Sequence, residues 1–277
     1  MLQIINIRVR SFDLDFLEIS WEVADTFEDI FDYYFRVLRS EGPAGPFQPI
    51  TFRFENIFTF RDVEANQLSK HRTWYYKIRV IKKTDTTITQ DFPTDVTGVG
   101  QIAEPDLEAL EIARRMKLLL KEFTGRKVWI FPVRTSGQKC SCFDENTGRR
   151  LRSQCLTCFD TNYVGGFYAP IQTYMQIDPV GKGVRMTEIA EIQGGDTSGR
   201  LSNWPLLKPR DVVIEAENKR WRVTNVRTTE KLRSVVHQEI VMHEIPRTDI
   251  EYRLPVDTIL SGHDPSPERQ FTNPQKL

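Results

Sequence analysis

The sequence predicts a mainly β protein: an N-terminal β-sandwich, one linking α-helix, a four-cysteine module and a C-terminal small β-barrel. Three observations predict it. Short runs of alternating apolar and aromatic residues fill the first hundred positions. Between residues 105 and 124 the apolar step changes to three and four. Four cysteines then fall within 19 residues, and none lies elsewhere. The chain has 277 residues, enough for two domains or more small ones. Its 39% hydrophobic content supports packed cores and excludes a wholly disordered chain. Its 38 Lys and Arg balance 38 Asp and Glu, which argues against a generally basic, nucleic-acid-coating protein but not against a local basic patch. There is no run of 18 apolar residues, so no membrane span is expected. Met1-Leu2-Gln3-Ile4-Ile5-Asn6 turns charged at Arg8 and Arg10, unlike a secretory signal.

Residues 1–97 read as a β-sandwich. Leu14, Phe16, Leu17, Ile19, Trp21 and Val23 form a mostly alternating run, and 34–40 form a second. Gly42-Pro43-Ala44-Gly45-Pro46 breaks the chain, and Phe52, Phe54, Phe58 and Phe60 add apolar positions. Trp74, Tyr76, Ile78 and Val80 share one face of a further strand. The Trp21 strand, the Tyr34 to Ser40 strand and the Trp74 strand together resemble a fibronectin type III domain over about a third of the chain. Trp74 stands where that family commonly has a tyrosine. The resemblance implies a binding module, spacer or decoration. Asp25, Glu28, Asp29 and Asp32 make an acidic stretch that reads as a solvated loop or short helix, or as a calcium site; the central Gly of a calcium loop is missing.

Residues 98–125 read as a linker and an amphipathic helix. Pro105 suits the first helical turn, and Glu104, Asp106 and Glu108 suit the positive end of its dipole. Ala109, Ile112, Ala113, Met116, Leu119, Leu120 and Phe123 supply the stripe, with Gly125 as the stop. The stripe faces either a core or a neighbouring subunit.

Residues 126–168 read as a strand, 127–131, followed by a zinc-ribbon-like module. Cys140-x-Cys142 and Cys155-x2-Cys158 can bring four thiolates onto one tetrahedral zinc ion, with the turn formers 144–148 between them. Two disulfides, free thiols and an iron–sulfur or redox centre are the alternatives. One compact cluster in a chain without a signal favours metal in a reducing compartment. Four cysteine ligands leave no open coordination position, so the metal's expected role is to fold a segment too small for its own core. Arg126, Lys127, Arg134, Lys139, Arg149, Arg150 and Arg152 against Asp144 and Glu145 leave a local excess of five positive charges. That patch is either a solvated loop or a phosphate contact.

Residues 169–260 read as a small β-barrel, with strands at 211–214, from Trp221 to Val226 after an Asn218-Lys219 turn, and at 235–242. Gly194-Gly195-Asp196-Thr197-Ser198-Gly199 reads as a loop, for partner contact or for solvent. Residues 261–277 are polar and rich in turn formers: a frayed tail, or an arm that orders on a neighbour.

From Lys139 to Leu254 the chain resembles structural proteins of tailed bacteriophages. The resemblance rests on the two cysteine pairs, Val164-Gly165-Gly166-Phe167-Tyr168 with Pro170-Ile171, and Leu207 with 209–214. It continues through 219–226, 237–242 and 246–255. It implies a virion component at the neck, of head–tail connector, adaptor, stopper or collar type. Its partners would be copies of itself in a ring and proteins such as the portal or tail-completion proteins. It would be made in the host cytoplasm, with incidental contact to packaged DNA and none to membrane. The alternatives are a tail or baseplate component and a zinc-ribbon nucleic-acid-binding protein. His71, His237, His243 and His263 are scattered, and no His-Glu-x-x-His, Gly-x-Ser-x-Gly or phosphate loop occurs, so no enzyme is expected.

Overall fold

The structure, a computed structural model, describes residues 1–13, 16–65, 73–101, 106–144, 147–178, 185–186, 191–192, 195–216, 218–231 and 234–256. Leu14, His71, Glu104, Pro105, Glu145, Gly194, His263 and the predicted tail 261–277 lie outside them. The described chain is mainly β with one α-helix. No helix among the described residues is long and apolar enough to cross a membrane.

The first hundred residues build two antiparallel sheets. One runs β1 (Ile4–Arg10), β2 (Leu17–Val23) and β5 (Thr59–Asp62). The other runs β4 (Gln48–Pro49), β3 (Tyr33–Ser40), β6 (Tyr75–Lys82) and β7 (Thr89–Phe92), with β8 (Val99–Gly100) also on β6. Alternation decides what is buried. Leu17, Ile19, Trp21 and Val23 point inward from β2, and Tyr76, Ile78 and Val80 from β6, so both sheets share one core. Trp74 is only partly buried and lies beneath the Arg39 guanidinium, 4.4 Å from its ring centroid. Phe52 is exposed, whereas Phe54, Phe58 and Phe60 are core. A polar bolt crosses between the sheets. Asp62 accepts from Arg39 at 3.0 and 2.8 Å and from the Tyr76 hydroxyl at 2.9 Å. Burial, then the Asp62 carboxylate, push the Tyr76 hydroxyl far above its ordinary pKa.

Helix α1 covers Leu107–Leu119 and passes into a single wide turn over Leu120–Thr124. Asp106 caps it by accepting from the Glu108 N–H at 3.1 Å. Gly125 ends it in extended rather than left-handed backbone. Glycine is needed there because a Cβ would collide with the Leu120 carbonyl oxygen.

The remaining long strands close a six-stranded antiparallel barrel: β9 (Arg126–Phe131), β12 (Ile171–Ile177), β15 (Asp196–Ser202), β18 (Ser234–Glu244), β17 (Arg220–Lys231) and β16 (Val212–Glu215). Strand β9, which precedes the cysteines, is therefore a barrel strand. The cysteine module, with its β10 (Phe143–Asp144) and β11 (Arg149–Arg150) hairpin, is inserted between β9 and β12. A short hairpin of β13 (Arg185–Met186) and β14 (Glu191–Ile192) follows β12. Strand β9 is apolar on both faces for a reason. Val128 and Ile130 fill the barrel, while Trp129 and Phe131 pack outside it against Ile245, Leu254 and Val256.

The segment read as a loop at 194–199 is a strand from Asp196 onward, paired with β18 and β12. Thr197 and Leu201 point inward, and Gly199 sits between them. A Cβ at Gly199 would lie 2.9 Å from the Gln176 carbonyl oxygen and 3.3 Å from the Met175 and Met242 side chains. The glycine marks close packing here rather than flexibility.

Candidate metal centre

Two antiparallel stretches carry the cysteines. The chain leaves β9, pairs Val133 with Phe167 and Lys139 with Tyr163, and reaches Cys140. Two tight turns then present the thiols. In the first, Phe143 N–H donates to the Cys140 carbonyl at 3.0 Å and Leu151 N–H to the Cys142 carbonyl at 2.8 Å. In the second, Phe159 N–H donates to the Cys155 carbonyl at 2.8 Å and Thr161 N–H to the Cys158 carbonyl at 2.9 Å.

All four predicted ligands come together. Their sulfurs lie within 4.8 Å of one another. Cys140 Sγ is 3.9 Å from Cys155 Sγ, and Cys142 Sγ is 3.4 Å from Cys158 Sγ. A tetrahedron of bonds of about 2.3 Å places its corners about 3.8 Å apart, within this range. All four are free cysteines, and disulfide sulfurs would stand at about 2.05 Å. Cys140, Cys142 and Cys158 are buried, and Cys155 is half-buried. The cluster fits a metal ion held by four thiolates.

The surroundings favour thiolate at Cys155 and oppose it at Cys142 and Cys158. Burial acts to raise the Cys155 thiol, but the Cys158 and Thr157 amides hydrogen-bond to it and bring it down to about 7. Burial drives Cys142 upward, reinforced by the Cys158 thiol, and drives Cys158 upward as well. Asp160 accepts from the Cys155 N–H at 3.1 Å and meets Arg150 at 3.3 Å, fixing the second turn. Gly166, at φ +67°, closes the turn behind Cys158. A Cβ there would stand 2.8 Å from the Cys158 carbonyl oxygen.

The module is fastened to both β units. Thr26 N–H donates to the Gly137 carbonyl at 3.1 Å, and Lys139 N–H donates to the Thr26 carbonyl at 2.9 Å. Tyr163 donates to Asp25 at 3.2 Å. The buried Arg134 donates to the Phe167 carbonyl at 3.0 Å and, across the junction, to Asn56 Oδ1 at 2.7 Å. Its guanidinium lies 4.9 Å from the Tyr168 ring centroid and 5.7 Å from that of Phe58. Burial pulls the Arg134 pKa below its ordinary value. Farther along the junction, Asn203 donates to the Phe12 carbonyl at 2.6 Å. The Trp204 indole N–H donates to Glu18, and Arg61 stacks 3.8 Å from the Trp204 ring.

The other candidate groups disperse. Glu28 accepts from Tyr33, Asp29 from the Phe31 N–H, and Asp25 from Tyr163, so the acidic stretch is a loop with a short 3-10 turn at Ile30–Asp32. His237 and His243 lie on β18 and meet Thr229 and Asp196 at 3.2 and 2.8 Å. Of the basic residues, Arg126 pairs with Glu215, Lys139 with Asp25 and Arg150 with Asp160, and Arg134 is buried. Lys127 lies 5.1 Å from the Trp129 ring centroid, and Arg149 and Arg152 are exposed on the cysteine module. The roles of Arg134 and Trp204 escaped sequence reasoning. Each has partners set by long-range folding, which no local pattern announces. No family model matches the chain, and no curated protein matches it either.

Proposed function

We propose that this chain is a non-enzymatic structural protein of a tailed-phage virion, a connector-type ring component at the neck. The cysteine cluster would hold a structural zinc ion. The observation that carries the reading is the placement of the cluster. Its own loop is fastened on one side to the barrel and on the other to the N-terminal sheets through Thr26 and Asn56. Four thiolates saturate a tetrahedral ion, so such a metal braces a junction and offers substrate no open position. The closed barrel supplies a rigid body for contacts with portal or tail-completion proteins. The order of the first seven strands, with a three-stranded sheet facing a sheet built on β3 and β6, supports the fibronectin type III reading of residues 1–97. That unit would project as a decoration or collar.

Antibody–gold labelling of intact particles, viewed by negative-stain microscopy, tests the reading. Label at the head–tail junction is the expected result. Label on the tail or baseplate would move the protein along the virion. Absence from particles, in blots of denatured virions as well, would overturn the reading.

One observation favours a second reading. Arg149 and Arg152 are exposed on the zinc-ribbon-like module beside Leu151, as a phosphate contact requires. Nucleic-acid affinity that falls steeply with salt and is lost on replacing both arginines would support it.

A further inference from the structure

Helix α1 carries two apolar faces, and its own fold uses one. Ala109, Leu110, Ala113 and Leu120 are buried and seat the helix on the molecule. Ile112, Met116 and Leu119 follow along α1 at steps of four and three, and Phe123 follows four residues on, in the wide turn that ends it. They form a second stripe about a quarter turn away. Ile112 is 40% exposed, Leu119 45% and Phe123 83%, and Met116 is partly exposed. Phe123 gains nothing for the monomer by standing in water. A contiguous stripe of large side chains at helical spacing is the pattern of a helix that packs on another helix.

We propose that this stripe pairs with the same stripe of a second copy, antiparallel and about a two-fold axis. The occupant follows from self-complementarity. An antiparallel register centred between Met116 and Leu119 sets Ile112 opposite the partner's Phe123, and Met116 opposite the partner's Leu119. The same register brings Arg115 within a turn of the partner's Glu122, twice by symmetry. Both charges flank the stripe on its outward side. Arg115 has a 76% exposed side chain and Glu122 a 54% exposed one, so both can reach across. Arg115 also contacts Glu111 of its own helix at 2.9 Å, which holds it beside the seam. A two-fold contact closes on itself and so differs from the head-to-tail contacts that build a ring. The inference goes beyond the virion reading and stands without it.

Sedimentation velocity of the full-length, metal-loaded chain over a concentration series tests it. The wild type is expected to show a monomer–dimer equilibrium. Phe123→Glu is expected to raise the dimer Kd roughly a hundredfold or more, with an unchanged far-UV spectrum, because the ring is exposed in the monomer. Arg115→Glu and Glu122→Arg are each expected to raise Kd roughly tenfold, and the double variant to return within about threefold of wild type. A wild type that stays monomeric, an oligomer indifferent to Phe123→Glu, or a double variant no better than the singles would each overturn the proposal.

Discussion

Lys139 donates its backbone N–H to the carbonyl of Thr26 at 2.9 Å, one residue before the first cysteine of the cluster. The 113-residue separation makes this a long-range stitch, and its position ties the docking of the N-terminal sheets to the shape of the cysteine turns. Without metal, only turn hydrogen bonds and weak sulfur contacts hold the four thiols together. Chelation is therefore expected to cut hydrogen-exchange protection at Thr26, Lys139 and Cys140. The Tyr76 and Ile78 amides, deep in the N-terminal core, should keep theirs. Uniform loss across both sets would mean that the metal does not act locally at the junction.

Arg134 should be the costliest single truncation outside the cores. Arg134→Ala leaves the Phe167 carbonyl and Asn56 without their donor and empties the stack on Tyr168. The expected loss is about 2–4 kcal/mol in denaturant unfolding. Arg134→Lys should recover little of it, since a lysine cannot donate in two fixed directions while stacking. A loss below about 0.5 kcal/mol would show the contact to be dispensable.

Glu18 gives the junction a pH dependence of defined sign. Burial raises its carboxyl to about 6, against the pull of Arg61, the Trp204 hydrogen bond and Arg10. The folded state thus binds this proton more tightly than the unfolded state, whose value is near 4.5. Its contribution is most favourable below about 4.5, declines as pH rises to about 6, and is constant above that. Glu18→Gln keeps an acceptor for Trp204 and removes the titration. The melting temperature of the variant relative to wild type should rise across that window. Asp211, also raised to about 6 by burial, titrates in both proteins and cancels in the comparison.

Gly166→Ala should disturb the metal centre more than Gly165→Ala. Both glycines have positive φ, +67° and +81°. A methyl at Gly165 meets only the Arg134 side chain at ordinary contact distance, 3.6 Å and beyond. At Gly166 it meets the Cys158 backbone at 2.8 Å. The left-handed backbone alone costs about 1 kcal/mol at either site, and the clash adds to it at Gly166. Zinc affinity measured by chelator competition should fall for Gly166→Ala and stay near wild type for Gly165→Ala. Equal affinities would remove Gly166 from the site's support.

The cysteine cluster was legible because ligand chemistry fixes residue type and spacing together. Tyr76, Ile78 and Val80 were legible because one covered face leaves clean alternation. Strand β9 could be read as a strand but not as part of the barrel, because burial on both faces erases the period that assigns a partner. Asp196 to Gly199 looked like a loop because glycine and small polar residues usually mark one. Here Gly199 is small because Gln176, Met175 and Met242 crowd it. The pairing of Arg134 with Asn56 spans 78 residues, and no local pattern announces it.

Cys140, Cys142, Cys155 and Cys158 are proposed to form one structural metal centre that braces the junction. The most direct measurement is the metal content of the purified full-length chain by mass spectrometry, with the absorption spectrum after cobalt replacement. One zinc per chain is expected, with the intense thiolate and ligand-field bands of tetrahedral cobalt–sulfur coordination, and with loss of both in Cys155→Ser. A metal-free chain that is fully folded, with its cysteines paired as disulfides or open to alkylation, would contradict the account.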